Sequence, residues 1–234
     1  MRKSILLPAL FSLLSLSLHA QDNRVIKKER REGWELLFDG HSTKGWHTWK
    51  QQGVSKGWGV KDNALHLDPS VKDDRGDLVT DASFDNYELR FTWKIAPKGN
   101  SGIIFLVQEK PEINATWHSG PEYQIIDNIN YPDKLDAKQM SGSLYDLIAC
   151  PADLCKPAGQ WNEGAIIVDH GRIRQELNGK TVVDVTIGST AWNDALAPSK
   201  FAPMKDFAKV QAGRIALQDH SGELWVKNIK IRKL

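Results

Sequence analysis

The chain has 234 residues, with 31 Lys and Arg against 29 Asp and Glu, and is 41% hydrophobic and 26% charged. That mix argues against a largely disordered chain. Arg2 and Lys3 account for the basic surplus: without residues 1–20 the count is 29 against 29. A formally neutral chain is a poor partner for nucleic acid or an anionic membrane.

Arg2-Lys3 precede an apolar run from Ile5 to Leu18, and Leu18-His19-Ala20 stands before the polar Gln21-Asp22-Asn23. This pattern predicts a signal peptide over residues 1–20, cut near Ala20, and an exported protein, periplasmic or extracellular. The run is too short to span a bilayer comfortably, no Cys follows it to carry a lipid, and no later segment is long and apolar enough for membrane insertion. Residues 21–33 are polar and charged and read as a flexible lead. Residues 34–234 read as one domain with a substantial core.

From Trp34 onward the sequence is one of strands and turns. Glu88 to Lys94 alternates with period two, turning Leu89, Phe91 and Trp93 toward a core. Gly102 to Val107 reads as a more fully buried strand, after a turn over residues 97–102. Further turns are expected at Asp62-Asn63, His170-Gly171, Asn178-Gly179 and Ser221-Gly222. Asn178-Gly179 is the strongest of them, because a type I′ turn needs two residues that accept positive φ. Cys150 and Cys155 bracket Pro-Ala-Asp-Leu and are expected to form a loop-bracing disulfide in an oxidising compartment. Helix is confined to a turn or two within residues 191–209, interrupted by Pro198 and Pro203. Ile215 and Leu217 then alternate with Ala216, Gln218 and His220, and a last alternating strand starts at Leu224. Many short strands without βαβ alternation predict an all-β, two-sheet antiparallel jelly-roll sandwich.

Two segments are dense in functional groups. In a regular strand over 122–126, Glu122, Gln124 and Ile126 share one face, while Tyr123, Ile125 and Asp127 share the other. Only a β-bulge would bring Asp127 beside Glu122, giving the paired carboxylates of glycoside acid–base chemistry. Otherwise Glu122 is a solvated strand residue and Asp127 caps the next turn. Gln218 and His220 lie opposite the core residues of their strand, where His220 is a base, an acid, a metal ligand or an ordinary surface imidazole. Nine tryptophans, several beside Gly, His or Pro in loops, fit sugar binding through stacking on pyranose C–H faces.

Several motifs occur in order: WELLFDG at 34–40 with Gly45-Trp46, GDLVT at 76–80, GNSG at 99–102, EYQIIDN at 122–128, KPAGQWN at 156–162, LNG at 177–179 and GRIALQDH at 213–220. Together they resemble the 3-keto-disaccharide hydrolase domain family over nearly all of residues 34–234. The resemblance implies a concanavalin-like (lectin/glucanase-type) jelly roll acting on a sugar or glycoside oxidised to a ketone at C3. The ketone acidifies the C2 hydrogen, so removal of that proton, elimination at C1 and addition of water give net hydrolysis. Such a site needs a base, an acid and an electrophile. Glu122, His220 and Asp127 are the candidate catalytic groups, and Arg75, Asn100, His118, Gln124, Lys156, Trp161 and Gln218 the candidate substrate-binding ones. A divalent metal, held by Glu122, His118 or His220, is a candidate electrophile.

Two rival readings stay open. A non-catalytic carbohydrate-binding sandwich would bind such a glycoside without releasing the aglycone. A laminarinase-type glycosidase needs an acidic cluster close to Glu-x-Asp-x-x-Glu, and Gln124 and Asp127 leave that set incomplete.

Overall fold

The structure, a computed structural model, describes residues 22–220 and 222–234. The expected signal peptide, and Ser221 of the expected Ser221-Gly222 turn, lie outside those residues.

Thirteen strands form two antiparallel sheets among the described residues: β1 (Glu35–Leu36), β2 (Trp46–Thr48), β3 (Trp58–Lys61), β4 (Ala64–Leu67), β5 (Leu78–Thr80), β6 (Tyr87–Ile95), β7 (Asn100–Val107), β8 (Glu122–Ile126), β9 (Asn162–Asp169), β10 (Arg172–Leu177), β11 (Lys180–Thr186), β12 (Arg214–Leu217) and β13 (Leu224–Lys233). The larger sheet runs β11-β10-β9-β6-β13-β4-β3, with β1 pairing β13, and the smaller runs β2-β5-β12-β7-β8. The predicted sandwich is therefore observed. Type I′-compatible pairs with positive φ close three hairpins of the larger sheet: Asp62-Asn63, His170-Gly171 and Asn178-Gly179.

The alternation read from the sequence sets the core. Leu89, Phe91 and Trp93 of β6 and Ile215 and Leu217 of β12 are all buried, none more than 2% exposed. Phe91 meets Tyr123 of the opposite sheet edge to face, with centroids 5.2 Å apart, a pair worth about 0.5–1.5 kcal/mol beyond its burial. The parity of β7 breaks once. Leu106 has φ of +58°, so Phe105 and Leu106 both turn inward while Val107 joins Ile104 on the outer face. The register with β12 shifts between Arg214 and Ala216. Gly213 makes the bulge possible, since a Cβ there would sit 2.5 Å from the Cα of Leu106.

Three expectations are corrected. Residues 22–33 are not a loose lead: they carry α1 (Lys27–Arg31) and clasp β13. Asn23 and Asn228 exchange backbone-to-side-chain hydrogen bonds of 2.7 Å each way, and Lys227 and Lys230 pair with Asp22 and Glu29 at 2.7 and 2.5 Å. β13 bulges between Lys227 and Lys230, which frees the Asn228 backbone for this exchange. Cys150 and Cys155 are free thiols, because Sγ of Cys150 turns to the Ala152 carbonyl and that of Cys155 to the Lys156 carbonyl. Third, β8 pairs with β7 in unbroken register from Glu122 to Ile126, so no bulge carries Asp127 to the face of Glu122. The one helix in the 191–209 region is α2 (Thr190–Leu196), N-capped by Ser189, and no described helix is long and apolar enough to cross a membrane.

Candidate active site on the smaller sheet

Strand pairing builds a row across the outer face of the smaller sheet. Val79 of β5 pairs with Ala216 of β12, Ala216 with Ile104 of β7, and Ile104 with Glu122 of β8. Beside that row lie Gly102 and Gln124, which pair with each other, and Gln218, whose N–H donates to the Gly102 carbonyl at 2.9 Å. Val79, Ile104, Val107 and Ala216 make a small apolar floor, and Trp49 and Trp117 pack against it. The parity argument thus holds for Glu122, Gln124 and Gln218, which share one face.

Glu122 is 4% exposed. Its carboxyl lies over Gly102, where any side chain would overlap Glu122 Oε1, with Cγ and Cδ each 2.7 Å from the added carbon. Burial pushes its pKa up to about 8; the Lys200 ammonium and the Gln218 amide oppose that rise, while the charge of Asp77 adds to it. Asp77 is a second carboxyl of the site. Burial raises its pKa as well, against hydrogen bonds from the Thr116 hydroxyl and from Asp219 N–H at 2.8 Å.

The other predicted residues divide. Asn100 lies on the same face, with its Oδ1 accepting from Gln124 Nε2 at 3.4 Å. Gln124 is 1% exposed and its Oε1 has no hydrogen-bond partner in the protein, an exception that calls for a ligand or water. His220 is exposed and close enough to Asp77 to favour its charged form. His118 is half-buried and edge-on to Trp117, with centroids 4.2 Å apart. Arg75 is not placed as a free sugar donor. Its Nε and Nη2 hold Asp219 at 3.0 and 2.5 Å, and its Nη1 donates to the carbonyls of Asp68 and Val71 at 2.8 and 2.7 Å. Arg75 therefore fixes the loop that presents Asp219 N–H to Asp77.

Three predicted residues lie elsewhere in role or place. Asp127 organises its own loop: its carboxylate accepts from the backbone N–H groups of Lys98, Ile129 and Asn130 at 2.8–3.1 Å. Burial works to raise its pKa, but these donors hold it below the ordinary carboxylate value. Lys156 and Trp161 belong to the approach to β9 in the larger sheet. Lys156 Nζ donates to the Trp161 carbonyl at 3.0 Å, and the Trp161 ring lies under Lys94 and Lys227, at 5.1 and 4.3 Å. A cavity of about 510 Å³ also lies on the larger sheet, lined by Arg90, Glu163, Glu176, Lys230 and Glu29 among others. Several of its charges pair with each other or with neighbours, whereas the buried acids of raised pKa are on the smaller sheet.

Sequence reasoning missed Asp77, Tyr145 and Lys200. Asp77 could have been found: in the GDLVT motif it is two residues from Val79 and shares its face. Tyr145 donates its backbone N–H to the Glu122 carbonyl at 3.0 Å, and Lys200 arrives from a loop that carries no periodic signal. The residues around Glu122 do not form a ligand set for the candidate metal. Among the described residues no group of three or more His, Cys, Asp or Glu is gathered to hold one. The Lys200 ammonium already supplies Glu122 with a counter-charge.

Fold and site together define a jelly-roll β-sandwich with two buried carboxyls of raised pKa on its smaller sheet. The chain belongs to the 3-keto-alpha-glucoside-1,2-lyase-like domain family, whose profile matches residues 33–232, as the motifs indicated. A 3-keto-disaccharide hydrolase of Bacteroides thetaiotaomicron is 32% identical over 229 residues, covering 87% of this chain and 79% of that protein. A crystal structure from Parabacteroides distasonis, described as a candidate glycosyl hydrolase, superposes with a TM-score of 0.85 at 31% identity, covering 92% of this chain and all of that one. A Bacillus subtilis protein with a galectin-like fold shares the fold alone, with a TM-score of 0.53 at 14% identity over 81% of this chain and 90% of that one.

Proposed function

We propose that this protein is an exported carbohydrate-active enzyme that cleaves glycosides carrying a ketone at C3, with Glu122 as the base that takes the C2 proton. The observation that carries the reading is the buried Glu122 carboxyl, its pKa about 8, on a floor of small side chains. A base is most effective when its pKa lies near the working pH, which is where burial puts Glu122. Proton removal leaves an enediolate, the C1–O bond breaks, and water adds to the resulting glycal. Gln124 Oε1 and Asn100 are suited to hold sugar hydroxyls. His220, near Asp77 at the exposed end of the site, is suited to protonate the departing oxygen. Export is supported by the pattern of residues 1–20; N-terminal sequencing of the secreted protein should begin at Gln21.

The test is aglycone release from a panel of 3-keto-glycosides. Glu122→Gln keeps size and hydrogen bonding and should lower kcat by at least about a hundredfold without lowering the melting temperature. Near wild-type turnover would remove Glu122 as the base. Binding by the wild type without release would leave a carbohydrate-binding module instead.

A further inference from the structure

The loop after α2 brings one cation to the site. Lys200 is exposed as a residue, and its ammonium end lies over three rings: Tyr145 at 4.4 Å, Trp117 at 4.7 Å and Phe201 at 5.1 Å. Two of those rings belong to the site. Tyr145 is bonded through its backbone to Glu122, and Trp117 packs on the floor formed by Val79, Ile104, Val107 and Ala216. The Lys200 backbone N–H is anchored on Asp146 Oδ2 at 2.8 Å. We propose that the Lys200 ammonium, held by this aromatic cage, is the electrophile that stabilises the oxygen at C3 as the enediolate forms.

The inference rests on the proposed cleavage of 3-keto-glycosides. It assigns to a side chain the role that a metal would otherwise fill, and for which the described residues gather no ligand set. The step balances simply. Glu122 takes the C2 proton, the C2–H pair becomes the C2–C3 double bond, and the carbonyl pair moves onto the C3 oxygen beside the ammonium. When the C1–O bond breaks, the oxygen pair re-forms the C3 carbonyl, the C2–C3 pair becomes the C1–C2 double bond, and the C1–O pair leaves with the aglycone oxygen, which then takes a proton. Aromatic faces favour a charged ammonium, and a preorganised cation beside a developing oxyanion is the arrangement that lowers such barriers most. Glu122 and Asp146 both favour the charged form of Lys200, against burial, which lowers its pKa. Lys200 in turn opposes the rise at Glu122, the other charges there being Asp77 and, when ionised, Tyr145.

The experiment uses the full mature chain, a 3-keto-glucoside that the wild type cleaves, and Lys200→Met and Lys200→Arg. Met keeps the apolar stem over the rings and removes the charge; Arg keeps the charge. Lys200→Met should lose about a hundredfold or more in kcat, the scale of one oxyanion donor, with a smaller change in KM. The ascending limb of its pH–rate profile should move to higher pH, because Glu122 has lost the cation that opposes its rise. Lys200→Arg should recover part of the rate and return the limb toward its original position. Wild-type kcat should stay within about twofold after exhaustive treatment with chelator. A Met variant with wild-type kcat, a rate loss with an unmoved pH limb, an Arg variant no better than Met, or chelator loss restored by a divalent ion would each overturn the assignment and leave the cleavage reading intact. No release by the wild type from any 3-keto-glycoside would overturn both.

Discussion

The two outer faces of this sandwich are built from similar alternating strands and use their polar residues in opposite ways. On the larger sheet charge meets charge: Arg232 with Glu88 at 2.5 Å, Lys230 with Glu29 at 2.5 Å, Arg90 with Glu88 at 2.7 Å. Its aromatic rings are likewise engaged, with Trp34 between Arg90 and Arg232 at 4.7 and 5.0 Å. On the smaller sheet the floor is Gly, Ala, Val and Ile. The acids above it are buried with raised pKa, and a buried Gln124 oxygen goes unpaired. A face whose charges are matched has little left to offer a substrate. A face that buries its acids and raises their pKa has stored the asymmetry that chemistry needs.

This contrast can be broken at several points. The largest effect is expected from Arg75→Met, which takes the guanidinium away from the Asp219 carboxylate, a side chain only 4% exposed that also accepts from Gly76 N–H. Losing one partner of such a buried pair costs about 3–5 kcal/mol, and denaturant unfolding should show it together with lost turnover. Gly102→Ala should come next. The new methyl must displace the Glu122 carboxyl, so turnover should fall about a hundredfold, as for loss of a general base, with a melting temperature only a few degrees lower by the scale of overpacking.

Third is a pH effect. The Glu122 pKa is raised in the folded state from an ordinary 4.5 to about 8, so its contribution is fully present below pH 4.5 and is lost as pH rises through 8. Thermal melts should therefore show the wild type losing stability between those values more steeply than Glu122→Gln, with the variant the more stable at pH 9. The smallest effect belongs to the other face. Lys230→Met removes a partly exposed pair, should shift stability by no more than about 1 kcal/mol, and should leave kcat unchanged. A large loss of activity there would erase the distinction between the faces.

How much of this was written in the sequence depended on how far each feature reaches. Period-two alternation placed Leu89, Phe91, Trp93, Ile215 and Leu217 inward and Glu122, Gln124 and Gln218 outward, because parity is local to a strand. The pairing of Glu122 with Asp77 was not legible, since their strands are separated by β12 and β7 and only the sheet order brings them near. Lys200 was invisible for a similar reason, coming from an aperiodic loop. The bulge imagined in β8 exists instead in β7, at Leu106, where the deciding partner is Gly213 on another strand. The N-terminal segment looked loose because its partner, Asn228, lies 205 residues away.

The place of β13 has a consequence for the order of events during synthesis. It is the last described strand in the chain, yet it lies between β6 and β4 in the middle of the larger sheet and also receives β1 and the residues before it. A chain emerging from its N-terminus can form the β3–β4 and β9–β10–β11 hairpins early, but β4 has no neighbour to join it to β6 until residue 224 onward is available. The larger sheet cannot close by accretion from one end; it closes when a keystone arrives. Until then the half-sheets stay open, each with an unpaired edge waiting for the same strand.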